Sequence, residues 1–141
     1  MTRTGEHIAS LLAVAAPDGP PSVALLSRGE VLTLSETALR LALHANSGTA
    51  TNLARTNAAT LLRVEPGSVE TLVLRTVPLG GAVLDGTELV LFEAAIVTRR
   101  HHAVTYATVT SGIAFTLHDE QGVLDRWQRT QALLRAAETP A

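Results

Sequence analysis

The segment LRLALHANSGTATNLARTNAATLLRV, residues 39–64, has the clearest order of elements in the chain. An apolar run predicts a strand, a polar loop and a short helix follow it, and a second apolar run predicts the next strand. Ser47, Gly48, Thr49 and Thr51 lie around the first turn of that helix. The first N–H groups of a helix lack intrahelical acceptors and the helix dipole is positive there, so this turn suits a phosphate or another anion.

Each polar residue of this segment also has a structural interpretation. Ser and Thr are favoured helix caps, so Ser47 and Thr49 either cap the helix or contact a phosphate, and a helix start can do both. Asn52 contacts a ligand or faces solvent. His44 ends the preceding strand, where it is placed to hydrogen-bond a ligand or act as an acid or base; the alternative is an ordinary strand-end histidine.

Turn signals divide the first third of the chain. The residues up to Ser10 are expected to form a short helix, and PDGPP at 17–21 predicts a turn. Residues 22–34 are rich in strand formers but broken at 27–30, which predicts either a bulge or a turn between two short strands. Arg28 lies in this break, where side chains are often redirected toward a site.

The second half also indicates short strands. We expect a strand at 69–77 to end at Pro78 and the following glycines. Residues 88–99 fit a strand or a helix, and their Val, Ile and Thr content favours the strand. The last segment, from 120 or 121 to 137, is predicted as an amphipathic helix. Two further strands are predicted at 59–65 and 113–117.

Six or more short strands with few helices predict a small antiparallel barrel, formed as one domain over residues 1–141. Hydrophobic residues make up 46% of the chain and aromatic residues only 3%, so the core must be aliphatic. Charged residues make up 17%, against about 25% in an average soluble domain. A surface this poor in charge predicts an oligomer that covers part of it.

Composition also narrows the function. A net charge of −2 gives no basic surface for nucleic acid. All 11 cationic residues are arginine and there is no cysteine, which excludes lysine and thiol chemistry. The N-terminal residues do not resemble a signal peptide and no apolar run is long enough to span a membrane, so we expect a cytoplasmic protein that binds a small molecule.

The order of these features resembles the pyridoxamine 5′-phosphate oxidase-like, FMN-binding split-barrel superfamily. Residues 47–53 (SGTATNL), 57–61 (NAATL) and 20–27 (PPSVALLS) carry the resemblance, which covers roughly residues 8–65. It implies a mainly β, six-stranded antiparallel split barrel with a short helix after the third strand and a C-terminal helix. It also implies a homodimer with FMN in a groove between the protomers.

This resemblance implies a flavin-dependent oxidoreductase, although it indicates neither a substrate nor catalytic residues. Segments 25–28 and 72–75 would line the flavin ring. Gly48, Thr49 and Thr51 stand where the oxidase proper has basic residues, so hydroxyl and backbone N–H groups would hold the phosphate. The predicted FMN-binding residues are Ser47, Thr49, Thr51, Asn52, Arg28 and His44.

Two alternatives remain open at the level of sequence. The missing basic residues favour a split-barrel dimer that has lost its cofactor and binds a partner or a small anion. The cluster RRHH at 99–102 is the support for a split barrel that uses haem or a deazaflavin. Because adjacent residues of a strand face opposite ways, His101 and His102 are not expected to share a metal, and a solvated strand end is the plainer interpretation.

Overall fold

A computed structural model describes residues 5–139, which contain eight strands and two helices. The elements are β1 (Glu6–Ala16), β2 (Gly19–Leu26), β3 (Val31–Thr33), β4 (Ala38–His44), α1 (Gly48–Thr56), β5 (Ala58–Glu65), β6 (Ser68–Leu84), β7 (Thr87–His101), β8 (Ile113–Thr116) and α2 (Glu120–Ala136). Neither helix is both long and apolar enough to cross a membrane.

The strands form one antiparallel sheet in the order β2-β1-β5-β6-β7-β4-β3, and β8 pairs with the start of β1. The mainly β architecture is confirmed, and so are the short helix predicted after the 45–48 loop and the C-terminal helix. The strand count was wrong: there are eight strands rather than six, the sheet is open rather than a closed barrel, and α1 follows the fourth strand rather than the third. A turn at 27–30 separates β2 from β3, with the Glu30 N–H donating to the Ser27 carbonyl at 3.1 Å.

Two expected elements were wrong, one in its type and one in its extent. A short helix was expected up to Ser10; residues 1–4 of that segment lie outside the described part of the chain, and β1 begins at Glu6 because this stretch pairs with β8, over 100 positions away along the chain. β6 does not end at Val77 and continues to Leu84. A bulge between Pro78 and Gly80 accommodates the proline, and Gly80 has a φ of 110° that favours glycine. The ambiguous segment at 88–99 lies in β7, so the strand interpretation is confirmed.

The inner face of the curled sheet encloses an aliphatic core. Phe92 of β7 is its largest fully buried side chain, and leucines of the surrounding strands pack around it. Helix α1 inserts Leu53 into the same cluster. Core leucines alternate with outward residues along each strand, as the two-residue period of a strand requires.

Helix α2 covers the outer face of one half of the sheet. Its buried Leu134 packs against Leu32, Ala42, Leu89 and Leu91. Ionic contacts hold the helix at two further places, one near its middle and one at its end.

Near its middle, Arg129 forms two hydrogen bonds of 2.8 Å to Asp85 in the β6–β7 turn. This contact holds the pKa of the Asp85 carboxyl below its ordinary value of 3.8. At the end of α2, the buried Arg40 donates to the carbonyls of Leu134 and Ala137 and also pairs with Glu93.

The other half of the sheet has an uncovered outer face. Paired residues cross it in two apolar rows: Leu25, Leu11, Leu62 and Thr71 form one row, and Val23, Ala13, Thr60 and Val73 form the next. Val23 and Leu25 are 60% and 59% exposed. We call this surface, formed by the outward residues of β2, β1, β5 and the adjoining parts of β6 and β7, the open sheet face.

Candidate functional site

The first turn of α1 is arranged as the sequence predicts. The Ser47 hydroxyl accepts a hydrogen bond from the Ala50 N–H at 3.0 Å and donates to the His44 carbonyl at 2.8 Å. Ser47 therefore caps the helix. The N–H groups of Gly48 and Thr49 have no acceptor among residues 5–139, so two backbone donors remain available for an anion.

The remaining polar side chains of α1 are mostly engaged. Thr49 is buried, at 7% exposure, and therefore cannot present its hydroxyl freely to a ligand. The Thr51 hydroxyl donates to the Ser47 carbonyl at 3.2 Å, and the Asn52 amide donates to the Ser22 hydroxyl at the same distance. No arginine of the described chain hydrogen-bonds to these residues, so a phosphate at this turn would meet neutral donors.

The structure separates the two other predicted ligand residues. His44 is exposed next to Ser47 and lines a cavity of about 230 Å³ together with Glu30 and Arg126. Arg28 follows the C-terminal end of β2, whereas Ser22, the residue that Asn52 contacts, lies in the first half of that strand. Six residues of chain separate Arg28 from Ser22, which amounts to about 20 Å when extended. Arg28 therefore lies in a different cleft.

A groove on the open sheet face lies beside the C-terminal end of α1. It has a volume of about 560 Å³ and is lined by the apolar Val73, Val77 and Val97, with Asn57 at its helix side. Arg75 is the charged residue of the groove and makes no ion pair with another described residue. The sequence indicated 72–75 as a ligand-facing segment, but strand alternation turns only Val73 and Arg75 outward.

The cluster at 99–102 is engaged by its own strand neighbours. Arg99 and His101 both contact the Glu70 carboxylate, at 2.9 and 3.2 Å. His102 lies 3.0 Å from the Thr71 hydroxyl. Among residues 5–139 no three His, Cys, Asp or Glu side chains converge as metal ligands would.

The sequence did not indicate a further cleft, which lies between α2 and the 27–30 turn. Its volume is about 650 Å³ and its lining includes Arg28, Trp127 and Arg135. The Trp127 ring makes edge contacts with the rings of His7 and Phe115. The spacing of 124, 127, 128, 131 and 135 identifies one helix face in the sequence, but the turn opposite that face is set by the tertiary fold.

Comparison with known proteins supports the fold. No protein-family model matches the chain. The uncharacterized protein YclD of Bacillus subtilis (strain 168) is 34% identical over 125 residues, which are 89% of this chain and 81% of YclD.

Solved structures are more distant in sequence but similar in fold. A candidate pyridoxamine 5′-phosphate oxidase from Lactobacillus delbrueckii is 13% identical, with a TM-score of 0.56 over 66% of this chain and 84% of that one. An FMN-binding protein from Syntrophomonas wolfei is 11% identical, with a TM-score of 0.54 over 70% of this chain and 79% of that one. A candidate flavin reductase with a split barrel domain from Shewanella frigidimarina is 11% identical, with a TM-score of 0.54 over 84% of this chain and 85% of that one. The chain thus belongs to the family of YclD and has the split-barrel fold of pyridoxamine 5′-phosphate oxidase-like, FMN-binding proteins.

Proposed function

We propose that the protein is a cytoplasmic homodimer that binds FMN against the open sheet face. One observation carries the proposal: this face is apolar, continuous across five strands and uncovered, while α2 covers the other half of the sheet. Val73, Val77 and Val97 are 42%, 44% and 57% exposed there, next to the still more exposed Val23 and Leu25. A contiguous apolar patch of this kind is characteristic of an interaction surface.

The groove beside α1 fits the flavin ring. Val73, Val77 and Val97 offer an apolar surface for the isoalloxazine, and Arg75 supplies a positive charge at its edge. A second copy packed on the same face would close the groove from above. In this arrangement, Val73 and Arg75 would contact the isoalloxazine ring.

The phosphate would be held at the first turn of α1. The free N–H groups of Gly48 and Thr49 are the donors, and Ser47 fixes their direction through its cap. Thr51, Asn52 and His44 complete the proposed binding set around this turn. Bound FMN would supply hydride or electron chemistry, as in a flavin-dependent oxidoreductase, while the protein binds and orients it.

The first experiment is the absorbance spectrum of the purified protein, followed by titration with FMN and with riboflavin, which lacks the phosphate. We expect FMN to bind with a Kd of about 1 µM, or about −8 kcal/mol, and riboflavin to bind more weakly. Arg75→Gln and the double variant Ser47→Ala with Thr49→Ala should each weaken FMN binding. Arg126→Gln, at an exposed position on α2, is the matched control. Unchanged affinity in the double variant would refute the phosphate position.

The dimer has its own test. Leu25→Lys places a charge in the open sheet face, so light scattering should give the mass of a dimer for the original chain and of a monomer for the variant. Val83→Lys changes a residue that is 67% exposed near the β6–β7 turn and should leave the dimer intact. A monomeric original chain contradicts the proposal.

The neutral donor set at α1 favours one alternative, a cofactor-free dimer that binds a partner or a small anion. A dimeric protein that ignores FMN, with no flavin absorbance, would select this alternative. A Soret band in the same spectrum would select haem instead.

A further inference from the structure

We propose that the cleft between α2 and the 27–30 turn is a binding site for a small aromatic molecule that carries a phosphate. We call it the α2 cleft. Its volume of about 650 Å³ lies within the range of small-molecule sites. The inference does not depend on the flavin proposal, since the α2 cleft and the open sheet face share no lining residue.

The walls of the α2 cleft are fixed by direct contacts. The Gln131 side-chain amide donates to the carbonyls of Arg28, Gly29 and Val31 at 3.1, 2.9 and 3.2 Å. Gly29 is buried against Trp127, where a Cβ atom would overlap the indole ring. The turn and the helix are therefore held in contact before any ligand arrives, and the ordering cost of binding is small.

The floor of the cleft is apolar and includes a flat aromatic surface. Leu124 and Trp127 lie one helical turn apart on the same face of α2, and both line the cleft. Trp127 is half-buried, so part of its indole remains available. A planar ligand ring is the group that such a surface accommodates best.

Two arginines without ion partners border this floor. The Arg28 guanidinium lies 5.5 Å from the centroid of the Trp127 ring, which holds the cation in place. Neither Arg28 nor Arg135 forms a salt bridge within residues 5–139. The nearby Glu30 carboxylate accepts hydrogen bonds from Ser27 and does not line the cleft.

The charge of the cleft indicates which anion it fits. Two guanidinium groups match a phosphate monoester, which carries close to two negative charges at neutral pH, better than a single carboxylate. Guanidinium and phosphate also form paired, charge-assisted hydrogen bonds. An aromatic phosphate therefore satisfies both the apolar floor and the cationic border.

Trp127 provides a direct readout, because it is the sole tryptophan of the chain. The probe is phenyl phosphate, titrated against Trp127 emission, with phenol and inorganic phosphate as the two half-ligands. We expect a saturable change in emission for phenyl phosphate and at least tenfold weaker binding of each half-ligand. Arg28→Gln and Arg135→Gln should each weaken phenyl phosphate binding about tenfold, the usual effect of losing a charge-assisted contact.

Arg126→Gln is the control, since Arg126 is also on α2 and forms no salt bridge within residues 5–139, but lines the neighbouring cavity. Arg28 and Arg135 are exposed, so their variants should keep the circular dichroism and melting temperature of the original chain. Folded protein whose emission ignores phenyl phosphate at 10 mM (roughly −3 kcal/mol or weaker) would overturn the proposal, as would unchanged binding in both variants. FMN titration of Arg28→Gln separates the two sites: FMN affinity should be unchanged, and a loss of it would show that the α2 cleft is the flavin site rather than a separate one.

Discussion

Arg40 joins strand β4 to the end of α2, and its replacement should lower the stability of the protein. It lies on β4 under the end of α2, with 7% of its side chain exposed. Its Nη1 donates to the Leu134 and Ala137 carbonyls at 2.7 and 2.6 Å, while Nε and Nη2 donate to Glu93 at 3.1 and 2.9 Å. Nη2 also donates to the Thr139 hydroxyl at 2.9 Å.

Arg40→Met keeps the volume of the side chain but removes every one of these donors. Glu93, whose side chain is only 21% exposed, is then left without its cation, and removing one partner of a buried ion pair costs about 3–5 kcal/mol. The two carbonyls at the end of α2 lose their donor as well, but they can turn to water when the helix end loosens. We therefore expect the free energy of unfolding to fall by about 3–5 kcal/mol.

Urea unfolding followed by circular dichroism measures this change. Arg126→Met, at an exposed position on α2 that makes no ion pair with other described residues, should change the free energy of unfolding by less than about 0.5 kcal/mol. The double variant Arg40→Met with Glu93→Leu removes the unpaired carboxylate and should recover at least half of the loss. The reasoning would be refuted if Arg40→Met were as stable as Arg126→Met. It would also be refuted if the losses in free energy of unfolding were strictly additive in the double variant.

Three smaller predictions concern single contacts. The hydrogen bond from Arg129 lowers the pKa of Asp85 in the folded state. The pair therefore stabilises the fold at pH values above 3.8, the ordinary pKa of the carboxyl, and this stabilisation is lost as the pH falls further. Asp85→Asn should thus lower the urea midpoint at pH 7, and the difference should narrow below pH 4, about the unfolded value. Gly29→Ala places a Cβ against Trp127 and should lower the free energy of unfolding by about 1–3 kcal/mol. The displaced indole should also shift the tryptophan emission to the red, and an unshifted spectrum would argue against this packing. Thr76→Val removes a fully buried hydroxyl that has no partner in residues 5–139 and should raise the free energy of unfolding by about 1 kcal/mol. A lowered free energy of unfolding would mean that the hydroxyl is satisfied.

Local patterns predicted the elements that depend on local contacts. The α1 turn illustrates this, because the Ser47 cap is formed by a residue only three positions from its partner. The strand at 88–99 and the helix from 120 were likewise visible, since β-branched content and an apolar stripe are local properties. The β1 segment before Ser10 was not, because its partner strand is over 100 positions away.

The same distinction between local and long-range contacts applies to the candidate sites. The sequence identified residues 47–52 as a group, and they are together in the fold because one helix turn contains them. The sequence also grouped Arg28 with residues 47–52. In the fold, β2 runs away from α1, so Arg28 lies after the far end of this strand, against Trp127. Arg135 had no local signal at all, since only the docking of α2 places it beside the 27–30 turn.

The attachment of α2 has a kinetic consequence. Its hydrogen bonds to the 27–30 turn and to Arg40 join residues 94 to 103 positions apart, whereas the β6–β7 hairpin closes through the two residues Asp85 and Gly86. Closing a long loop carries a larger entropy cost than closing a short one, and non-local contacts form late in folding. We therefore expect refolding to restore the circular dichroism of the local hairpins first and native Trp127 fluorescence last, so that the α2 cleft is completed late, together with the β1–β8 pairing.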